Sequence, residues 1–150
     1  WELAEFAAWD MYMRYGDRPA AVRYAEMAAA APDAPARLKR IVGVWRDKNE
    51  LWSVEDSIAY WEQAVAEASD DFDRFVCRNK LYDAHVTRDR KLLQPLIDDY
   101  VDRFGSCSEG WGGLIRAGLV QQIPFDQLGN PYGIDPEDCM LVANKKIREQ

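Results

Sequence analysis

The sequence has few of the residues that form metal sites and nucleophilic triads. Histidine occurs once, at position 85, and the three cysteines stand far apart at positions 77, 107 and 139. There is no C-x-x-C pair, phosphate-binding glycine loop or nucleophile elbow. Cys77 and His85 are eight residues apart on one predicted helix, about 12 Å along its axis, which is too far for a nucleophile and its base. We therefore expect no catalytic residue, no cofactor and no metal, and the sequence favours a protein that is not an enzyme.

Long apolar runs are also missing, and the charge is mostly negative. No run approaches the roughly 18 apolar residues that cross a bilayer, so no membrane span is expected. The 150 residues include 26 acidic and 19 basic ones, for a net charge of −7. An acidic field repels phosphate backbones, which excludes nucleic acid as the expected partner. The length suits one domain over residues 1–150, and a first residue other than Met, Trp1, suggests a trimmed or processed product.

The cysteines and the acidic clusters each leave two interpretations open. Cys107 and Cys139 either pair, with Cys77 buried and free, or all three remain thiols; pairing would require an oxidising compartment. Acidic residues gather at 70–73, 98–102 and 135–138. They could offer oxygen ligands to calcium, as could Asp126, Asn130 and Asp135, but none has the spacing of an EF-hand loop. Turn and helix-start chemistry is the simpler interpretation.

What the sequence does contain is an internal repeat of 36 residues in its first half. A shift by 36 superposes six pairs of identical or similar residues: Phe6 and Val42, Trp9 and Trp45, Val22 and Ile58, Tyr24 and Tyr60, Glu26 and Glu62, and Ala28 and Ala64. Repeats of this length are typical of stacked helical units.

Each repeat is predicted to be a pair of helices. In the first, an apolar stripe at helical spacing consists of Leu3, Phe6, Ala7, Trp9 and Met13. Gly16 is expected to end that helix and Asp17 to cap the next, which runs over residues 20–31. In the second repeat, Ser53 and Asp56 have the spacing of a capping box.

The small–aromatic–small–Pro pattern in these repeats resembles the tetratricopeptide repeat family, whose helix hairpins have about 34 residues. The residues that match the pattern are Ala20, Tyr24, Ala28 and Pro32 in the first repeat, and Ile58 or Ala59, Tyr60 and Ala64 in the second. The family's Trp-Leu-Gly signature is absent. The resemblance implies two hairpins over residues 1–68, stacked into a curved superhelix whose concave face holds a peptide.

Residues 69–105 are predicted to form a third, divergent hairpin. Its first helix would start after Ser69 or Asp70, and its second would end at Gly105, with a late start or a kink near Pro95. Residues 106–150 are predicted to form an irregular cap. It would contain a short helix over residues 109–120 and a small β-hairpin that pairs residues 132–134 with 140–142.

The C-terminal block also resembles, in motif order, a segment of bacterial tetratricopeptide proteins and of the major pseudopilin of type II secretion. The residues that carry the resemblance are Tyr100, Gly105, Leu114-Ile115-x-Ala117-Gly118-Leu119, Ile123-Pro124-x-Asp126 and Gly129-Asn130-Pro131-Tyr132. The usual Asp-Pro before the glycine is Asp126-Gln127 here. The resemblance implies a bacterial cell-envelope protein, periplasmic in preference to cytoplasmic, whose cap seals the last apolar face of the helix stack.

We therefore expect an all-α protein of stacked antiparallel hairpins that binds a protein or peptide. The candidate partner-binding residues are Trp9, Tyr12, Trp45, Lys48 and Trp61, and the tryptophans fit either a groove or the core. A basic patch, Arg37, Lys39, Arg40, Arg46 and Lys48, could meet an acidic peptide or could be a solvated face. The alternative function is a structural or assembly subunit of a secretion or pilus system.

Overall fold

The structure, a computed structural model, describes residues 1–144 and is mostly helical (65%), with one small two-stranded antiparallel sheet. The described residues form six α-helices and two strands: α1 (Glu2–Asp10), α2 (Arg18–Ala29), α3 (Ala36–Lys48), α4 (Val54–Glu67), α5 (Asp71–Phe104), α6 (Gly110–Arg116), β1 (Gly133–Ile134) and β2 (Leu141–Val142). The chain divides into two compact units, residues 1–81 and 82–150, called here the first and second units. Residues 145–150 of the predicted cap lie outside the described part.

Local signals place most helix ends of the first unit where the sequence predicts them. A π-helical turn, Met11–Tyr15, extends α1 as far as Gly16, whose φ of 69° is the left-handed conformation that glycine adopts easily. The Asp17 side chain then accepts a hydrogen bond from the Ala20 N–H at 2.9 Å and caps α2. The predicted capping box of Ser53 and Asp56 starts α4. These predictions are confirmed.

The helices α3 and α4 approach each other closely at Gly43. A Cβ built on Gly43 would lie 2.6 Å from Cζ2 of Trp61 and 2.7 Å from Cε1 of Tyr60, inside van der Waals contact. Only a residue without a side chain therefore fits at this crossing.

One turn further along α3, the Asp47 carboxylate ties the same two helices together. Its Oδ2 accepts the indole N–H of Trp61 at 2.8 Å. Its Oδ1 accepts the Trp52 indole N–H at 2.8 Å and the Ser57 hydroxyl at 2.6 Å. A single side chain thus satisfies donors from the α3–α4 loop and from two turns of α4, among them the buried Ser57 and Trp61.

Burial matches the repeat at two pairs of positions in the second helix of each hairpin. The equivalent residues Ala21 and Ser57 are both buried, as are Ala25 and Trp61. The stacking of hairpins into a tetratricopeptide-like superhelix stays a prediction.

The first helix departs from its predicted apolar stripe. Leu3, Phe6 and Met13 are exposed, and the buried residue of α1 is Ala8. Phe6 is 79% exposed, whereas its equivalent in the second hairpin, Val42, is 4% exposed. Most of the apolar stripe therefore faces solvent, because α2 packs against the side of α1 that carries Ala8.

The predicted third hairpin is wrong: residues 71–104 form one helix of 34 residues. Asp70 caps it by accepting the Asp73 N–H at 2.7 Å, as predicted. Residues 83–94 contain neither glycine nor proline, so nothing ends the helix midway. Pro95 lies inside the helix, where it removes one backbone donor but does not divide the helix.

The second unit packs α6 and a small sheet against the later part of α5. Its buried cluster comprises Tyr82, Val86, Ile97, Tyr100, Trp111, Leu114, Tyr132 and Leu141. The predicted β-hairpin is present, with Gly133 opposite Val142 and Ile134 opposite Leu141. A disulfide joins Cys107 to Cys139, and Cys77 is buried and free.

Asp126 organises the proline-rich loop that precedes the hairpin. Its Oδ1 accepts the backbone N–H groups of Leu128 and Asn130 at 2.9 and 2.8 Å, and its Oδ2 accepts the Tyr82 hydroxyl at 2.8 Å. Burial alone would raise the pKa of Asp126, but these hydrogen bonds to the charged form outweigh it and hold the pKa below its usual value. The turn interpretation of this acidic residue thus agrees with its contacts.

Candidate functional site

The clearest concave site of the first unit is a groove of about 340 Å³ between α2, α3 and α4, called here the α2–α4 groove. Ten residues line it: Glu26, Ala29, Ala30, Lys39, Val42, Arg46, Tyr60, Gln63, Ala64 and Glu67. Half of them are apolar or aromatic and half are polar or charged. The groove therefore combines an apolar floor with a polar rim, and its residue composition is more polar than that of the usual small-molecule site, whose lining is mostly apolar.

Small side chains create this groove. Ala29 and Ala30 end α2, and Ala64 faces them from α4. Because alanine reaches only as far as Cβ, the space between the two helices is left open above Val42 and Tyr60. The alanine content of α2 thus has two effects, since it allows close helix packing on one side and leaves a cavity on the other.

Tyr60 forms a fixed wall of the groove. Its hydroxyl donates a hydrogen bond to the Lys39 carbonyl oxygen at 2.5 Å, and its ring contacts those of Trp52 and Trp61, with centroids 5.0 and 5.4 Å away. Burial raises the pKa of Tyr60 to about 12, so this side chain is neutral at physiological pH. It contributes an aromatic face and no charge.

The charges at the rim are paired with each other. Arg46 of α3 forms an ion pair with Glu26 of α2, and Lys39 forms one with Glu67 of α4 at 2.8 Å. The Lys39 ammonium, with a further hydrogen bond from Gln63, lowers the pKa of Glu67. The rim therefore carries both signs and no excess of either.

The predicted basic patch belongs to the same pattern of ion pairs. Four of its five members pair with acids from other helices: Arg37 with Glu5, Lys39 with Glu67, Arg40 with Asp73 and Arg46 with Glu26. The fifth, Lys48, is exposed and forms no ion pair within residues 1–144. Most of the basic charge of α3 is therefore paired with acids of neighbouring helices, although Arg37, Lys39 and Lys48 remain exposed.

The structure places the five predicted partner-binding residues away from the groove. Trp9, Tyr12 and Trp45 form one cluster, with Tyr12 stacked on Trp45 at 4.3 Å and the Trp9 ring edge-on to Trp45 at 4.9 Å. Trp9 is partly exposed and Trp45 is buried. Trp61 is fully buried and bonded to Asp47, so it cannot touch a partner directly and its role is in the core.

Several groove residues carried a signal in the sequence. Tyr60, Glu26 and Ala64 are repeat matches, and Lys39 and Arg46 stood in the basic patch, but no local pattern shows that these residues meet. Gln63 and Glu67 had no signal, since their place in the groove depends on how α4 is rotated against α3.

Among the described residues, the free Cys77 thiol is not activated as a nucleophile. Burial of the Cys77 thiol raises its pKa, which opposes formation of the nucleophilic thiolate. Among residues 1–144 no group of three or more His, Cys, Asp or Glu is arranged to hold a metal ion. No helix in the same range is both long and apolar enough to cross a membrane.

Comparison with known proteins adds no relative: no family model, curated protein or solved structure matches this chain.

Proposed function

We propose that the protein is a non-catalytic interaction module that holds a peptide or protein segment in the α2–α4 groove. The observation that carries the proposal is the groove itself, with an apolar floor of Val42 and Ala64, the Tyr60 ring as a wall and a rim of both charge signs. An apolar side chain of a partner would fill the floor. Its flanking charged or amide groups would meet the Lys39–Glu67 and Glu26–Arg46 pairs.

The proposal includes a helical-repeat origin for this surface. The 36-residue repeat and its resemblance to tetratricopeptide repeats support it, because such hairpins bind extended or helical segments between their helices. The bound segment lies, in this proposal, against α3 and α4 and not against the predicted Trp9, Tyr12 and Trp45 cluster.

A bacterial cell-envelope location is part of the same proposal. The Cys107–Cys139 disulfide supports it, since disulfides persist in oxidising compartments such as the periplasm. The pseudopilin-like motif order of residues 100–132 also supports a cell-envelope location.

Panning a phage-displayed random peptide library on the immobilised chain tests the groove. We expect enriched peptides to share one large apolar residue with charged neighbours. Ala64→Trp should abolish their binding by filling the groove, whereas Ala66→Trp, the same change at an exposed position of α4, should leave binding intact. Circular dichroism and a melting curve would verify that both variants fold. Peptides that bind the Ala64→Trp variant as well as the wild type, or a library that yields no binder, would refute the proposal.

A further inference from the structure

The α1 helix presents an apolar surface that residues 1–144 leave mostly uncovered, although the Trp9 ring packs edge-on against Trp45. Leu3, Phe6, Trp9 and Met13 lie at helical spacing, and they are 89, 79, 41 and 73% exposed. We call them the α1 stripe. Four large apolar side chains in one row are more than the scattered exposed residues of an ordinary surface, and such patches mark interaction sites.

The second hairpin shows what covers the equivalent face of α3. Val42 and Trp45 share a buried cluster with Val22 and Ala25 of α2, so α2 packs on α3 with a face of alanine and valine. At the edge of this contact Arg46 forms its ion pair with Glu26.

The 36-residue repeat gives the residues of α1 that correspond to this face of α3. It superposes Phe6 on Val42, Trp9 on Trp45 and Asp10 on Arg46. Phe6 and Trp9 keep their apolar character, whereas Leu3 and Met13 superpose on Lys39 and Asn49, and the charge at the edge is reversed. Asp10 forms an exposed ion pair with Arg14 at 3.5 Å, four residues along the chain, which costs little to exchange for another partner.

We propose that the α1 stripe is the docking face for an α-helix of another polypeptide segment, with the chemistry of α2. That helix has a contact face of alanine and valine, and a basic side chain where α2 carries Glu26. The α2 helix of this chain cannot be the occupant, because Ala21, Val22 and Ala25 are already buried between α1 and α3. The proposal concerns a surface other than the α2–α4 groove and goes beyond the proposed function.

The charge reversal makes the proposal specific. A basic residue opposite Asp10 restores the ion pair that Arg46 and Glu26 make one repeat later, whereas an acidic residue there places two negative charges together. A helix that covers the stripe through apolar contact alone would bind equally well with a basic or an acidic residue opposite Asp10.

Synthetic helices provide the test. The probe is a fluorescein-labelled peptide with the sequence of residues 17–31, stapled through the positions of Arg23 and Met27, which are exposed and four residues apart. Circular dichroism confirms that it is helical before use. Fluorescence anisotropy with the full chain should show saturable binding, about tenfold tighter for a peptide with Glu26→Lys than for the unchanged peptide. On the Asp10→Lys variant of the chain this preference should reverse.

Matched variants locate the binding. Phe6→Asp should abolish it, and Leu92→Asp, at an equally exposed leucine of α5, should leave it unchanged. Ala64→Trp should also leave it unchanged, which separates this face from the groove. The proposal is overturned if neither helical peptide binds, if Phe6→Asp has no effect, or if Asp10→Lys leaves the preference as it was. It is also overturned if sedimentation shows a dimer that Phe6→Asp dissociates, since a second copy then covers the stripe.

Discussion

At the scale of single residues, Gly43 and Asp47 fix how α3 meets α4. Gly43 brings the backbone of α3 against the rings of Tyr60 and Trp61, and Asp47 then accepts the Trp61 indole N–H. Because Tyr60 is also the wall of the α2–α4 groove, the shape of the groove depends on this crossing. A substitution at Gly43 should therefore alter both the stability of the first unit and binding in the α2–α4 groove.

Replacing Gly43 with alanine should destabilise the first unit. The new Cβ has no space beside Trp61, and overpacking of this kind costs about 1–3 kcal/mol. Urea unfolding, followed by tryptophan fluorescence, measures the loss. The control is Gly112→Ala on α6, where the nearest atom to a new Cβ is the flexible Arg116 guanidinium at 3.5 Å. Helix propensity should make that change neutral or stabilising by up to about 1 kcal/mol. Equal losses for both variants would contradict the close crossing.

At the scale of elements, one carboxylate makes several of the hydrogen bonds that hold the loop of residues 123–131. Asp126 accepts hydrogen bonds from two backbone N–H groups of its own loop and from Tyr82 of α5. Tyr132 repeats the arrangement by donating from its hydroxyl to Asp89 at 2.7 Å. The buried tyrosines thus attach an irregular segment to a helix without the support of a regular sheet.

The Asp126→Asn variant should be less stable than the wild type at pH 7 by about 1–3 kcal/mol, since an amide cannot accept all of these bonds. The pKa of Asp126 is lower in the folded chain than in the unfolded one, so its contribution exists above pH about 3.9 and disappears as the pH falls through the folded pKa. The difference between the two proteins should therefore shrink below pH 4. Thermal unfolding at pH 7 and pH 3 measures it, with Glu137→Gln, at an exposed acid, as the control. A difference that is the same at both values would rule out the charged form as the stabilising one.

The elements also show what could be predicted from the sequence. Gly16, Asp17, Ser53 and Asp70 were assigned correctly, because helix ends are decided by hydrogen bonds within a few residues. The continuity of α5 was missed: a third hairpin was predicted, with Pro95 near the start of its second helix, although residues 83–94 contain no glycine or proline that would end the first.

The faces of the helices and the site were harder to predict. The α1 stripe and the core have the same spacing in sequence, and only the position of α2 decides that Ala8 is inside and Phe6 outside. The α2–α4 groove is formed by residues up to 41 positions apart, from Glu26 to Glu67, whose meeting no local pattern encodes. The sequence left Trp61 open between a groove and the core, because an indole fits both; its complete burial and its hydrogen bond to Asp47 place it in the core.

At the scale of the whole molecule, the two units are stabilised differently. The first has a core of alanine, valine and tryptophan and a set of ion pairs around α3. The second has a core rich in tyrosine and leucine and contains the disulfide between Cys107 and Cys139. The two cysteines are 32 residues apart, so the disulfide restricts the conformations of the unfolded chain mainly within the second unit.

Removing the disulfide with paired Cys107→Ser and Cys139→Ser changes should therefore act on one unit. Loss of a native disulfide typically costs about 2–5 kcal/mol. In hydrogen exchange followed by mass spectrometry we expect faster exchange at residues 105–118 and 131–142. Exchange over residues 20–66 should be unchanged. The single Cys77→Ser variant controls for the loss of a thiol. Equal acceleration in all segments would show that the two units unfold as one.

The continuity of α5 determines where the chain can be divided into fragments. The border between the units, after Leu81, falls in the middle of this helix. Severing the chain there would leave four carbonyl groups without helical partners at the end of the earlier piece and four amide groups without them at the start of the later piece, which would also lose its cap at Asp70. Recombinant halves designed at the border are therefore poor substitutes for the units. Overlapping fragments 1–104 and 70–144, which both keep the complete helix, respect the way the chain folds.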